Sequence, residues 1–289
     1  MSKKIIITAA LTGVLANRSQ CPYIPYTPEE IAEDGLRAVE AGASILHIHA
    51  RKDDGMPAYD VETYRQIHEE VRKRCPEVII NYSTGAIGIS NEERIHHITA
   101  LRPDMAALNM GSMNYAIYSK KAKQFYHDHV FQNPFKDITF FLERMKEVGT
   151  RPEMEVFDNG HINNAMPLID MGLIPKPYNF SFVMGVLGGI PGSTPNLLHQ
   201  SNSVPEGAQW QVIGIGRKQW ALIAAAITLN GNIRVGLEDN FYLPEGAMAK
   251  SNGELVAAAA QLVRMLGREV ATIEEAREIM QLPLQTPVV

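Results

Sequence analysis

The segment His47-Ile48-His49-Ala50-Arg51 sets two imidazoles two residues apart in an apolar run. On a β-strand, residues i and i+2 share a face, so His47 and His49 aim together. Two imidazoles on one face supply half of a metal site. Neutral imidazole suits zinc, which in catalytic sites takes three protein ligands and keeps a position open. Without an ion, the pair would be hydrogen-bonded core histidines. A third ligand must come from another strand. Arg234-Val235-Gly236-Leu237-Glu238-Asp239-Asn240 closes a late apolar run, and strand alternation would put Arg234, Gly236 and Glu238 on one face. An apolar run ending in Glu-Asp is costly unless the carboxylates meet a cation. His47, His49 and Glu238 are thus the expected metal ligands, a set that fits zinc's preference for nitrogen plus one carboxylate. A solvated loop, or an internal Arg234–carboxylate pair, would account for the acids as well.

Asp239 follows beside Arg234. An arginine keeps a neighbouring carboxylate ionised and oriented, which suits a base removing a proton α to a carbonyl, while zinc polarises that carbonyl. An ordinary salt bridge explains the two residues equally. Asn81-Tyr82-Ser83-Thr84-Gly85-Ala86 ends an earlier run in a turn whose hydroxyls and N–H groups can hold a carboxylate. Ordinary turn chemistry explains it almost as well. Leu108-Asn109-Met110-Gly111 ends the next run, with Asn109 a candidate oxyanion or carboxylate donor. Gly214-Ile215-Gly216-Arg217-Lys218 lacks the third glycine of a dinucleotide fingerprint, but barrels often bind phosphate at that place. Gly185, Gly188, Gly189 and Gly192 form a stretch that either admits a bulky substrate arm or simply connects. His127-Asp128-His129 repeats the His-x-His spelling in a charged, aromatic connector, where a surface loop is expected. His96 and His97 are adjacent on a helix and share no ligand face.

These residues need elements to hold them. Strands are predicted at Lys4–Ala10, Ser44–Ala50, Val78–Thr84, Met105–Gly111, Glu153–Phe157, Asn179–Gly185, Gln209–Ile215 and Ile233–Asp239. Helices are predicted at Pro28–Ala41, Val61–Arg74, Asn91–Leu101, Asp137–Val148, Ile162–Met171, Asn196–Ser203 and Arg217–Asn230, then Ser251–Leu266 and Ile273–Met280. Such alternation implies parallel pairing with right-handed crossovers. Eight units suit a (β/α)8 TIM barrel of α/β class, where a doubly wound sheet needs five or six. No Ser-, Pro- or Gly-rich linker divides the chain, so one catalytic domain over residues 1–289 is expected. Barrel enzymes place their chemistry at the carboxyl ends of the strands, where the residues above fall.

Composition narrows the classes. Over 289 residues, 45% are hydrophobic and 20% charged, as in a globular chain. The balance of 27 basic against 32 acidic residues leaves −5, so there is no general basic field for nucleic acid. The two cysteines, Cys21 and Cys75, make no disulfide framework and fit a reducing cytosol. Lys3 and Lys4 before Ile5–Ala16 imitate a secretory leader, but the β-branched run Ile5-Ile6-Ile7-Thr8 reads as a buried strand. No run reaches the roughly 18 apolar residues of a membrane span. A cytoplasmic protein is expected.

Taken together, Ile-Thr-Ala-Ala-Leu-Thr-Gly at the start, His-Ile-His-Ala-Arg, Tyr-Ser-Thr-Gly, Leu-Asn-Met-Gly and Gly-Leu-Glu-Asp-Asn resemble the β-keto acid cleavage enzymes, the family of 3-keto-5-aminohexanoate cleavage enzyme. The resemblance covers essentially the whole chain. It implies a zinc-dependent TIM barrel, commonly a homotetramer, that condenses a β-keto acid with acetyl-CoA to give acetoacetate and a new acyl-CoA. It places the Zn2+ ligands on His47, His49 and Glu238, the base on Asp239 and its tuning partner on Arg234. It places the substrate-holding serine on Ser83, followed by the turn at Gly85 and Ala86. Two positions depart from the amino-substrate enzyme. Leu15 stands where that enzyme has an amine-reading glutamate, and Ala107 stands where it has a threonine two residues before Asn109. A β-keto acid with a neutral or apolar tail is therefore expected. The alternatives are a CoA-independent metal-dependent aldolase or lyase, an amidohydrolase-type hydrolase and a non-catalytic metal-binding protein. The amidohydrolase reading would require its His-x-His on the first strand.

Overall fold

Caps written into the chain fix where helices begin. In the computed structural model, which describes residues 4–283, Thr27 Oγ1 accepts from Glu30 N at 3.3 Å. The Glu30 carboxylate accepts from Thr27 N at 3.2 Å, and Pro28 opens the helix as expected. Ser90 with Glu93, and Thr272 with Glu275, repeat that reciprocal pair. In chain order the strands are β1 (Ile7–Ala10), β2 (Ile45–Ile48), β3 (Ile79–Ser83), β4 (Met105–Asn109), β5 (Met113–Ser119), β6 (Gln124–Phe131), β7 (Arg151–Val156), β8 (Asn179–Met184), β9 (Gln209–Gly214) and β10 (Asn232–Val235). The helices are α1 (Pro28–Ala41), α2 (Val61–Arg74), α3 (Asn91–Leu101), α4 (Phe135–Val148), α5 (Asn159–Asp170), α6 (Thr194–Ser201), α7 (Gln219–Thr228), α8 (Asn252–Met265) and α9 (Ile273–Met280).

The strands β1-β10-β9-β8-β7-β4-β3-β2 close into a barrel, every neighbouring pair parallel. This is the expected (β/α)8 TIM barrel. The Ile5-Ile6-Ile7-Thr8 run enters the barrel wall at β1, between β10 and β2, so its strand reading holds. Both ends of the expected 1–289 span, residues 1–3 and 284–289, lie outside the described residues.

Three expectations need correction. The connector carrying His127 and His129 is no loop: β5 and β6 pair antiparallel as a hairpin. His127 and His129 lie half-buried on one face of it, because the period-two pattern there is a strand pattern. The last strand stops at Val235, so strand alternation does not place Glu238. The helix expected from Arg217 begins as a 3-10 turn at Gly216–Lys218 and becomes α-helical at Gln219.

Inward-facing residues form layers. At the floor, Ile6, Ile45, Ile79 and Met105 pack on Ala276 and Met280 of α9, which plugs the amino end. Above them the layer turns polar. Glu153 accepts from Asn81, Ser181 and Gln211, and Gln211 Oε1 in turn accepts from Thr8 Oγ1 at 2.8 Å. A carboxylate this deep persists because all three of these partners donate to it, from β3, β8 and β9 across the barrel interior. One step further up stand the residues of the mouth.

Candidate active site

β1 separates β10 from β2, so a residue after β10 can meet the β2 histidines only past a small neighbour. Gly13, just beyond β1, is that neighbour: a Cβ there would sit 2.7 Å from Glu238 Cγ. Gly236 supplies the other half of the geometry. Its φ of 153° breaks the strand, and a Cβ would fall 2.1 Å from the Ala10 carbonyl oxygen. The chain then turns, with Asp239 N and Asn240 N both donating to Gly236 O at 3.0 Å. Glu238 thus reaches the mouth from a turn, on an i, i+4 relation to Arg234.

His47 Nε2 lies 3.7 Å and His49 Nε2 3.5 Å from Glu238 Oε1. The three residues can offer ligand atoms all within 4.8 Å of one another, and they form the one such three-residue group among the described residues. Ligands about 2.1 Å from a tetrahedral zinc stand roughly 3.4 Å apart, so the spacing fits. The protonation states fit as well. Burial, then the Arg234 charge, holds His47 well below the ordinary imidazole range, hence neutral and able to ligate. Burial would raise Glu238, but the Arg234 guanidinium foremost overcomes it and keeps the carboxylate ionised. Glu238 Oε2 and His47 Nδ1 are buried without hydrogen-bond partners. Thr12 fixes the backbone at His49, donating to its carbonyl at 2.7 Å and accepting from its N–H at 3.0 Å.

Arg234 is the hub. Its Nε donates to Asp239 Oδ2 at 2.8 Å, and its Nη2 to Asp239 Oδ1 at 2.9 Å and Glu238 Oε1 at 2.6 Å. Its Nη1 lies 3.5 Å from Glu155 Oε1. Three carboxylates around one guanidinium carry a surplus of two negative charges when all are ionised, matched to a divalent ion. The surplus shows in the titration. Burial and the Glu238 charge lift Asp239 to about 6 against the pull of Arg234. Burial and the neighbouring acids lift Glu155 to about 8.

Ser83, Gly85 and Asn109 come together beside this cluster. Ser83 Oγ accepts from Gly85 N at 3.0 Å, and a Cβ on Gly85 would lie 3.7 Å from Asn109 Nδ2. Register pairs His47 with Asn81, which sets His49 opposite Ser83. Asn109 is buried with its Oδ1 unpartnered, and Ala86 is half-buried in the same turn. Ala107 is buried one inward step below Asn109, its carbonyl taken by Thr84 Oγ1 at 2.6 Å. Leu15 is 53% exposed in the loop after β1.

Sequence reasoning passed over two residues, Glu155 and Arg51. Glu155, with Glu153, alternates with apolar residues inside a strand, the same costly pattern that marked Glu238. Arg51 is buried and donates to the carbonyls of Gly13 at 2.7 Å, Thr12 at 3.0 Å, Ala16 at 2.6 Å and Gly55 at 2.9 Å. It clamps the loop that presents Gly13 to Glu238. Of the two basic residues after β9, Arg217 lies 4.3 Å over the Tyr242 ring.

Residues 4–282 match the family described as beta-keto acid cleavage enzyme. The chain is 44% identical to the 3-keto-5-aminohexanoate cleavage enzyme of Fusobacterium nucleatum, over 98% of this chain and 99% of that one. It is 34% identical to the 3,5-dioxohexanoate:acetyl-CoA acetone transferase of Paraburkholderia graminis, over 97% and 96% of the two chains. It is also 34% identical to the 3-oxoadipate:acetyl-CoA acetyltransferase of Cupriavidus necator, over 98% and 96%. Among solved structures, apo ObcA shares the fold with a TM-score of 0.74 at 22% identity, over 90% of this chain and 66% of that one.

Proposed function

This chain belongs to the beta-keto acid cleavage enzyme family, and from that premise we propose that it is a zinc-dependent, acetyl-CoA-dependent β-keto acid cleavage enzyme. In the overall reaction, R-CO-CH2-COO⁻ and acetyl-CoA give R-CO-S-CoA and acetoacetate. A bond forms between C2 of the keto acid and the acetyl carbonyl carbon, the C2–C3 bond breaks, and the CoA sulfur passes from the acetyl group to R-CO. The observation that carries this reading is the shared Arg234, which binds the metal-ligand carboxylate Glu238 and the free carboxylate Asp239 at once.

Zn2+ held by His47, His49 and Glu238 would supply Lewis-acid polarisation of a substrate carbonyl. Asp239 is the base that takes the proton from C2, and its position near 6 suits proton transfer around neutral pH. Arg234 orients that carboxylate bidentately and keeps it ionised against burial. Ser83 Oγ, the Gly85–Ala86 turn and Asn109 would hold the keto acid carboxylate, with Ala107 buried one inward step below Asn109. Leu15 offers no partner for an ammonium, which supports a substrate with an uncharged tail even beside an amino-keto acid relative.

The described barrel and the absence of a linker in the sequence support a single catalytic domain over residues 1–289. Exposed Ile117, Tyr118, Phe125 and Tyr126 on the hairpin give apolar surface for a homotetramer. The buried free thiols of Cys21 and Cys75 suit a cytoplasmic setting. No described helix is long and apolar enough to cross a membrane. The test is acetyl-CoA consumption across a panel of β-keto acids, with metal analysis of the same preparation. Acetoacetate formed only when acetyl-CoA and one equivalent of zinc are present supports the reading. Cleavage without acetyl-CoA would turn it to the lyase alternative.

A further inference from the structure

The floor of the barrel, two layers below the mouth, is apolar along one arc and polar along the other. Ser181 and Gln211 point inward, since both bond Glu153 in the barrel interior. Two residues earlier on the same strands, Asn179 and Gln209 therefore point inward as well, paired with each other in register. Together with the apolar Ile6, Met105 and Met280 they line a cavity of about 20 Å³ that reaches Glu153. That is room for one monatomic ion or water. Asn179 is 4% exposed, and neither its Oδ1 nor its Nδ2 has a partner; Gln209 Oε1 is buried without one too. Unspent amide oxygens at this depth are costly unless something takes them up.

Glu153 is 2% exposed, and its three donors, Asn81 Nδ2, Ser181 Oγ and Gln211 Nε2, are all neutral. Thr8 Oγ1 donates to Gln211 Oε1 at 2.8 Å, which turns the amide so that its Nε2 faces the acid. The cations of the barrel and its floor are spent elsewhere. Arg234 serves Glu155, Glu238 and Asp239. Arg72 and Arg277 both pair with Asp104, and Arg151 donates to the carbonyls of Pro175, Lys176 and Gln281. Among the described residues Glu153 has no ion pair. A water in the cavity would satisfy the amides and leave that buried charge uncompensated.

We propose that this cavity is a site for one alkali cation, potassium or sodium, held by Glu153, Asn179 Oδ1 and Gln209 Oε1. One carboxylate and two amide oxygens carry a single negative charge. That is too little to strip the water from a small divalent ion, and it matches a monovalent one. The site goes beyond the reaction at the mouth and rests on the barrel floor alone.

The full-length protein is melted in potassium, sodium and choline chloride at equal ionic strength, so that general screening is the same in all three. With the cation at about a hundredfold its Kd, Tm in one or both alkali salts is expected roughly 5 °C above that in choline chloride. Glu153→Gln removes the charge and Asn179→Leu fills the cavity, and each should cut that difference below about 1 °C. The unmodified protein gives a second measurement that needs neither variant to fold. Thallous ion, a potassium mimic followed by thallium NMR in nitrate salts, should show one bound resonance that potassium nitrate displaces. Equal melting in all three salts, or no bound thallous ion, would leave the cavity to water and overturn the site. An alkali response that survives in both variants would place the cation elsewhere and overturn it as well.

Discussion

Two segments of this chain spell His-x-His, and they meet different fates. His47 and His49 have ring centroids 5.2 Å apart at 70°, and His127 and His129 have theirs 4.4 Å apart at 67°. Spacing and local geometry barely distinguish them. The first pair closes a barrel strand, and the turn after β10 brings Glu238 and Arg234 to it past Gly13. The second pair lies on a two-stranded hairpin, where its face meets the rings of Tyr115 and Phe131 and no carboxylate joins it in a metal-ligand group among the described residues. Period two makes a face; closure of the barrel brings a carboxylate to that face and completes a group that could hold a metal ion.

The comparison breaks most visibly at its first member. His49→Ala should lose the metal and at least about a thousandfold in turnover, seen by metal analysis beside the acetyl-CoA assay, since one of three ligands is gone. Full activity in a metal-free variant would mean that the imidazoles do something else. Asp239→Asn sharpens the division of labour around Arg234. It should keep the metal and still lower kcat by at least ~100-fold, with solvent exchange of the C2 proton abolished; loss of metal would make Asp239 a structural acid.

A third buried imidazole shows what a core histidine is. His97 stacks on Tyr64, with centroids 3.9 Å apart, and donates from Nε2 to the Ser83 carbonyl at 3.0 Å. Burial pushes it down to about 3, and His68, near Tyr82, down to about 4. Below the ordinary value of about 6.5 the unfolded chain takes up protons that the folded chain refuses, so these groups stabilise the fold above pH 6.5 and less as pH falls. Urea midpoints should show His97 contributing up to about 2 kcal/mol less at pH 5 than at pH 7, and His97→Gln should flatten that slope. An unchanged slope would mean that the ring is not held neutral. The smallest effect belongs to the hairpin pair. His127→Ala with His129→Ala should leave metal content unchanged and stability within ~0.5 kcal/mol. Metal lost there would erase the contrast between the two motifs.

Much of the molecule was legible in order of residues alone. Caps such as Thr27–Glu30, stops such as Gly42 and the alternation of short apolar runs with amphipathic ones are local signals, and they gave α1, α2, α3 and α9 to the residue. The β5–β6 hairpin was not legible, because its half-buried strands mix aromatic and charged residues as an exposed loop would. Glu155 carried the same signal of a costly carboxylate in an apolar strand, but nothing in chain order pointed to its partner, since Arg234 lies nearly eighty positions away.

The sequence by itself determined which residues could ligate, ionise or cap, since those are properties of side chains and of spacing along one strand or helix. Which His-x-His gains a carboxylate neighbour, that Glu238 arrives by a turn at Gly236 rather than along a strand, and that Arg234 serves three acids were decided only by the closed barrel. Those outcomes depend on distances between segments that the chain order leaves free, and ring closure of eight strands is what fixes them.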